Sequence, residues 1–305
     1  MRFGFRRKKA IEEAADTAPV QAGEPVPLSA VLCGPPEELP ALLAALPAGS
    51  EVIARGGGPM PETDFPSLRF CGAERGPNGR RVLFAGTAAW HPAAAEDFFK
   101  CLGERTEDLV LFRSAAAKPA GETQCSFSAL PVPSGLPQNF APRMYGCALS
   151  QELYQTIAPY QNGLPEELSA VWLGTIFCRN AAFADVRLFA KQTAEPPLPG
   201  TEQVRALVDS FNAFKGTLTA ARYRFAFDFV CDRAVGAYAA LARVKDRDGL
   251  LELDELLRSE NMALRVAAAE RAPLGFIDAI RKHDFSVPWT AKPGIALALA
   301  AERKQ

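Results

Sequence analysis

The residues best suited to chemistry in this chain are the acidic pair Glu166-Glu167 and the arginines Arg55 and Arg113. Carboxylates exchange protons near neutral pH when their surroundings allow it, and guanidinium groups pair well with phosphate. Each also has a plain structural use. The pair follows Pro165, and Leu168, Val171, Trp172 and Thr175 to Phe177 recur behind it as the buried side of a helix. Pro165 suits a first helical turn, so both glutamates sit at the positive end of the helix, where carboxylates are favoured. Arg55 and Arg113 each end an apolar run, a common place for a surface residue.

Other chemistries are poorly supplied. Gly56-Gly57-Gly58 lacks the Lys-Ser/Thr ending of a phosphate-binding loop, and Gly72–Gly76 reads as a turn. The only histidines are His91 and His283, and neither accompanies a G-x-S-x-G elbow. His91 stands directly before Pro92, which makes it a helix-entry residue. Seven cysteines are scattered without a CxxC pair, a pattern of reduced, mostly buried thiols with no zinc site and no disulfide framework. A formal net charge of -1, from 34 basic and 35 acidic residues, gives no field for nucleic acid, so no nucleic-acid partner is expected. No apolar run is long enough to cross a bilayer, and the start of the chain lacks an apolar signal core. The expected location is cytoplasmic.

These residues need a scaffold to hold them. Leu28–Cys33 reads as a buried strand ending at the turn Gly34-Pro35-Pro36. Leu39, Leu42, Leu43 and Leu46 share one helical face, and Ser50–Arg55 is a second strand. Ser67–Cys71 and Arg81–Phe84 are further strand candidates. Pro92–Leu102 fits a helix, and Glu107–Phe112 another strand. Alternation of this kind predicts an α/β layer with a largely parallel sheet. Further on, an apolar segment carries Gly146, where a backbone can approach a ligand closely. Ser150 caps a short helix, a turn spans Gln161–Pro165, the acidic helix follows, and Phe183–Phe189 alternates as a strand.

The order of small residue, short helix, turn, acidic pair and strand resembles the second half of the catalytic domain of family 2 glycosyltransferases, the GT-A fold. That resemblance implies a glycosyltransferase-related protein of bacterial surface polysaccharide assembly, with a sugar nucleotide and a carbohydrate acceptor as ligands. It makes Glu166 or Glu167 the base that deprotonates the acceptor hydroxyl. Gly146 and Trp172 fall on the acceptor side, and Gly34, Pro35, Arg55, Arg113 and Ser114 on the donor side. The chain departs from the family where a metal is held. The second strand ends Ala54-Arg55-Gly56 and the third Arg113-Ser114-Ala115, so the acidic residue and the Asp-x-Asp motif are missing. No metal and no cofactor are expected there. Either the arginines clamp a diphosphate directly, or the domain is a pseudoenzyme that serves as a binding scaffold for a protein partner, through its former donor cleft or its helical part.

Outside this region, Met1–Lys9 mixes Phe3 and Phe5 with five basic residues. It reads as the start of a disordered tail over 1–27, with peripheral contact to an inner-membrane surface as the alternative. Prolines are concentrated before residue 200. Beyond Pro196–Gly200 the sequence turns helical, with Val204, Leu207, Val208, Phe211 and Phe214 in one stripe and a long apolar stretch from Tyr223 to Leu241. Leu250–Leu257 and Ser259–Arg271 read as further helices, the second capped by Ser259. The expected division is a GT-A-like α/β domain over 28–195 and an α-helical domain over 200–305. Since no carboxylate stands at 113–115, any affinity for UDP- or GDP-sugars is expected to be unchanged by manganese. Calorimetric titration with and without the metal checks this, and a large metal-dependent gain would overturn it.

Overall fold

A computed structural model describes residues 26–33, 39–55, 62, 64–85, 89–113, 125–132, 145–161, 163–186, 189–191, 200–244 and 246–259. Short apolar runs supply the strands β1 (Val26–Leu32), β2 (Glu51–Ala54), β3 (Arg69–Cys71), β4 (Gly79–Ala85) and β6 (Leu109–Arg113). They are joined in one sheet by β7 (Ser126–Leu130), β8 (Tyr145–Ser150) and β9 (Ala181–Asp185). The eight strands lie in the order β3-β2-β1-β4-β8-β6-β9-β7. Only β8 and β7 run against the rest. A separate two-stranded ribbon pairs β5 (Ala89–Trp90) with β10 (Phe189–Lys191). The α/β class with a mostly parallel sheet is therefore what the chain forms. The strand expected over 183–189 is in fact divided between β9 and β10, which belong to different sheets.

Period-two alternation sends successive strand residues to opposite faces, and both faces are covered. Leu28, Ala30, Leu32, Val110 and Phe112 meet α1 (Pro40–Ala45) and α2 (Pro92–Gly103). On the other face Val31, Ile53, Phe84, Leu111 and Cys147 meet α3 (Gln151–Ile157) and α4 (Glu166–Phe177). Above α4 lie α5 (Thr201–Phe214), α6 (Ala220–Val244) and α7 (Arg247–Ser259), within the same core. The predicted stripe of α5 is the buried one. Ser259 is still helical as the last described residue of α7, so the helix expected over Ser259–Arg271 lies outside the described residues, as does Met1–Lys9. Among the described residues no helix is long and apolar enough to cross a membrane.

Helix α4 differs from its sequence reading. The spacing predicts one buried side, whereas Ser169 to Ile176 are buried without interruption. The sheet covers one side of it and the α5–α6 pair the other. A Cβ on Gly174 would come within 3.1 Å of Leu149, so glycine lets the helix sit close on β8. Aromatic rings fill the upper side: Phe214 lies 5.7 Å from Trp172, 5.3 Å from Phe177 and 5.4 Å from Tyr160, centroid to centroid.

Gly146 has an internal explanation. A Cβ there would fall 2.2 Å from the Phe112 ring, which packs among Trp90 and Phe98. The space next to this glycine is filled by protein, and no ligand is needed to account for it. Gly146→Ala is expected to destabilise the fold by about 1–3 kcal/mol through overpacking. A second change, Phe112→Leu, should recover part of that loss. Denaturant midpoints of the two single variants and the double variant measure the coupling.

Candidate functional site at the carboxyl edge of the sheet

Where parallel strands end, the chain turns away and leaves room for side chains from several elements. At this edge the ladder between β1 and its neighbours runs one residue past the strands. The Cys33 amide donates to the Ala85 carbonyl at 2.9 Å, and the Arg55 amide to the Leu32 carbonyl at 2.8 Å. Cys33 and Arg55 are thereby fixed next to each other. Helix α4 arrives at the same place with its N-terminus. Pro165, extended at ψ 125°, precedes the first turn, so Glu166 and Glu167 are the first two helical residues.

Position is supplied by the elements on either side. The Ser150 hydroxyl accepts the Leu153 amide at 3.2 Å, the expected cap, and starts α3 directly at the end of β8. That helix brings Tyr154 over Phe84, ring centroids 6.2 Å apart. The chain then turns through Gly163, whose φ of 74° is the left-handed conformation that suits glycine. The turn brings Pro165 back to the sheet edge.

The two glutamates have different surroundings. Glu166 faces Arg55, with Oε1 and Nε 3.3 Å apart, a charge contact without hydrogen-bond alignment. Its Oε2 is enclosed and accepts no hydrogen bond. Arg55 is committed a second time, donating through Nη2 to the Arg75 carbonyl at 3.2 Å. Glu167 is partly buried, and burial pushes its carboxyl up to about 7. Its charge is felt by two thiols. Burial first, then Glu167 and Glu166, pushes Cys33 up to about 12, partly offset by the Glu167 backbone amide and Arg55. Cys147 is held well above the ordinary thiol range by burial, then by Glu167 and Cys33. Tyr154 is raised by burial and then by Glu166.

The structure therefore gathers Glu166, Glu167 and Arg55, and adds Cys33, Cys147 and Tyr154. Gly146 is adjacent to Cys147 in β8 but belongs to the opposite face, so Cys147 is the β8 side chain beside Glu167. Trp172 is not brought to this edge. It is fully buried against Phe214 and Phe229 in the helical layer. Arg113 ends β6 opposite Tyr145, but its side chain, Ser114, Gly34 and Pro35 lie outside the described residues. Alternation along β8 was enough to separate Gly146 from Cys147. The meeting of Cys33 with α4 depends on long-range pairing that no local pattern records.

Both thiols stay protonated at neutral pH and are poor nucleophiles. The group that can act is Glu167, a carboxyl whose proton is exchangeable near pH 7. A second buried carboxylate, Glu51, lies at the amino edge of the sheet and contrasts with it. It accepts hydrogen bonds from the Ser29 hydroxyl and the Asn78 amide and lies 3.8 Å from Arg75, so its charge is fully provided for. Among the described residues Glu167 has no hydrogen-bonding partner of that kind.

No protein-family model matches this chain, and no curated protein matches it.

The Glu167 shift has a stability signature. Its pKa rises from the ordinary 4.5 to about 7, so the folded chain holds the proton more tightly than the unfolded chain. The resulting stabilisation is fully present below pH 4.5 and is lost as pH rises to 7. Glu167→Gln removes the loss. The variant is expected to gain on the parent by about 1–2 kcal/mol between pH 4 and pH 8, from about 1.4 kcal/mol per pH unit discounted for partial exposure. Urea midpoints at the two pH values check the sign.

Proposed function

We propose that this chain is a glycosyltransferase-related protein in which Glu167 takes a proton from an acceptor hydroxyl as that oxygen attacks an anomeric carbon. The observation that carries the reading is the placement of Glu167: at the carboxyl edge of a mostly parallel sheet, without a hydrogen-bonding partner, and poised near pH 7. The succession of β8, the Ser150-capped helix, the turn, the acidic helix start and β9 supports it, because this is the order on which the GT-A resemblance rests. In this reading Arg55 contributes positive charge to the departing diphosphate. The acceptor is a carbohydrate and the donor a sugar nucleotide, in polysaccharide assembly.

One observation favours a second reading, a binding scaffold without catalysis. Arg55 is already engaged by Glu166 and by the Arg75 carbonyl, so a diphosphate would compete with both for it. A protein partner occupying the former donor cleft faces no such competition.

The two readings part on one variant. Glu167→Gln keeps size and hydrogen-bonding shape but cannot accept the proton. If Glu167 is the base, transfer from UDP- or GDP-sugars is expected to fall by about 100-fold or more, with donor affinity unchanged. Calorimetry with the same sugar nucleotides supplies the second arm. No measurable binding by the parent chain would discard the transferase reading in favour of the scaffold.

A further inference from the structure

Away from this edge, a second group of residues converges on one point. Asp97 and Cys101 are four residues apart on α2 and so lie on the same helical face, one turn from each other. Cys125 directly precedes β7, the outermost strand on that side of the sheet. One ligand atom from each of Asp97, Cys101 and Cys125 lies within 4.8 Å of the other two. We propose that these three residues form a binding site for a thiophilic divalent metal ion of the zinc class.

Four observations support the assignment. The donor set is two sulfurs and one carboxylate oxygen, which suits zinc and selects against magnesium and calcium. The spacing needs only a modest contraction to reach tetrahedral ligand separations around bonds of about 2.0–2.3 Å. The carboxylate is already oriented, because the Cys125 amide donates to Asp97 Oδ2 at 2.6 Å, the kind of outer contact that steers a ligating carboxylate. The surroundings favour a cation as well. Asp185 lies opposite Ser126 in the β7–β9 ladder, and Arg105, which feels the Cys101 charge, is engaged with Glu107 and the Phe127 ring.

Coordination balances by proton release. The two thiols lose their protons to solvent as the two sulfur–metal bonds form, and Asp97 enters as its carboxylate. Three protein ligands leave a fourth position, which water fills. The bound ion would tie α2 to β7, whose ladder otherwise joins β9 alone. The sequence carried half of this signal in the i, i+4 pair. A search for CxxC spacing passes over it, since Cys125 comes from a separate part of the chain.

Cobalt(II) is the direct probe, because thiolate coordination gives it a charge-transfer band that aqueous cobalt lacks. The full-length, reduced, metal-free chain is expected to take up one cobalt per chain with that band, and zinc should displace it. Cys101→Ser and Cys125→Ser should each abolish the band, and Asp97→Asn should weaken binding about tenfold or more, a loss that even an outer-sphere contact can cause. Cys33→Ser and Cys147→Ser should leave the band intact. If a variant fails to fold, alkylation of the parent chain replaces it. Zinc should then protect Cys101 and Cys125 from iodoacetamide, as read by mass spectrometry of the peptides. Absence of the band, its survival in both serine variants, or equal alkylation with and without zinc would overturn the proposal. So would a Cys101–Cys125 disulfide in the purified chain whose reduced form takes up no cobalt.

Discussion

Helix α4 is enclosed on all sides, and the placement of the candidate site follows from that enclosure. Eight successive residues, Ser169 to Ile176, have no access to water, so the helix must lie between two layers. The sheet supplies one layer and the α5–α6 pair the other. Close contact at Gly174 and ring packing at Trp172 and Phe214 fix both its height above β8 and its position along its own axis. A helix held so firmly has one place for charge, its first turn, and that turn meets the ends of β1 and β2. Glu166 and Glu167 are therefore located by the packing of apolar residues behind them. Dispersion and apolar burial set the geometry, and electrostatics acts within it.

The two ends of the sheet show what that geometry does to a carboxylate. At the amino edge Glu51 is buried but receives hydroxyl and amide donors, and it links β2 to β1 and to the residues leading into β4. At the carboxyl edge Glu167 meets two thiols whose protons are held tightly. One arrangement spends its carboxylate on structure. The other leaves a proton that can move at neutral pH, which is a poor way to hold a fold together and the property expected of a functional carboxyl.

Much of the scaffold was legible in the residues. Apolar runs such as Leu28–Cys33 and the leucines of α1 declare strands and helix faces through local spacing alone, and Ser150 declares its cap. What was not legible depends on partners distant in the chain. The strand β7 reads Ser-Phe-Ser-Ala-Leu and alternates poorly, because as an edge strand it is largely exposed. The enclosure of α4 could not be read from α4, since the second layer comes from residues 201–244. Gly146 suggested a close ligand and has instead a phenylalanine ring beside it, since Phe112 is opposite only after β6 and β8 pair. Trp172, which spacing places on the buried side of its helix and the family resemblance on the acceptor side, takes the buried place. The acidic pair was visible as chemistry. Its asymmetry, one glutamate bound to arginine and the other alone, needed the fold.

The Arg55–Glu166 contact places two opposite charges side by side at the sheet edge. An anion drawn to Arg55 would compete with Glu166 for the guanidinium. The Glu166 carboxylate lies next to Glu167 in the chain, and a negative charge that Arg55 no longer offsets would disfavour a second one so close. Occupation of Arg55 and protonation of Glu167 are then linked in both directions, with the same coupling free energy seen from either side. An anion arriving at the sheet edge thus carries more than its own charge. It changes how tightly the neighbouring carboxyl holds its proton.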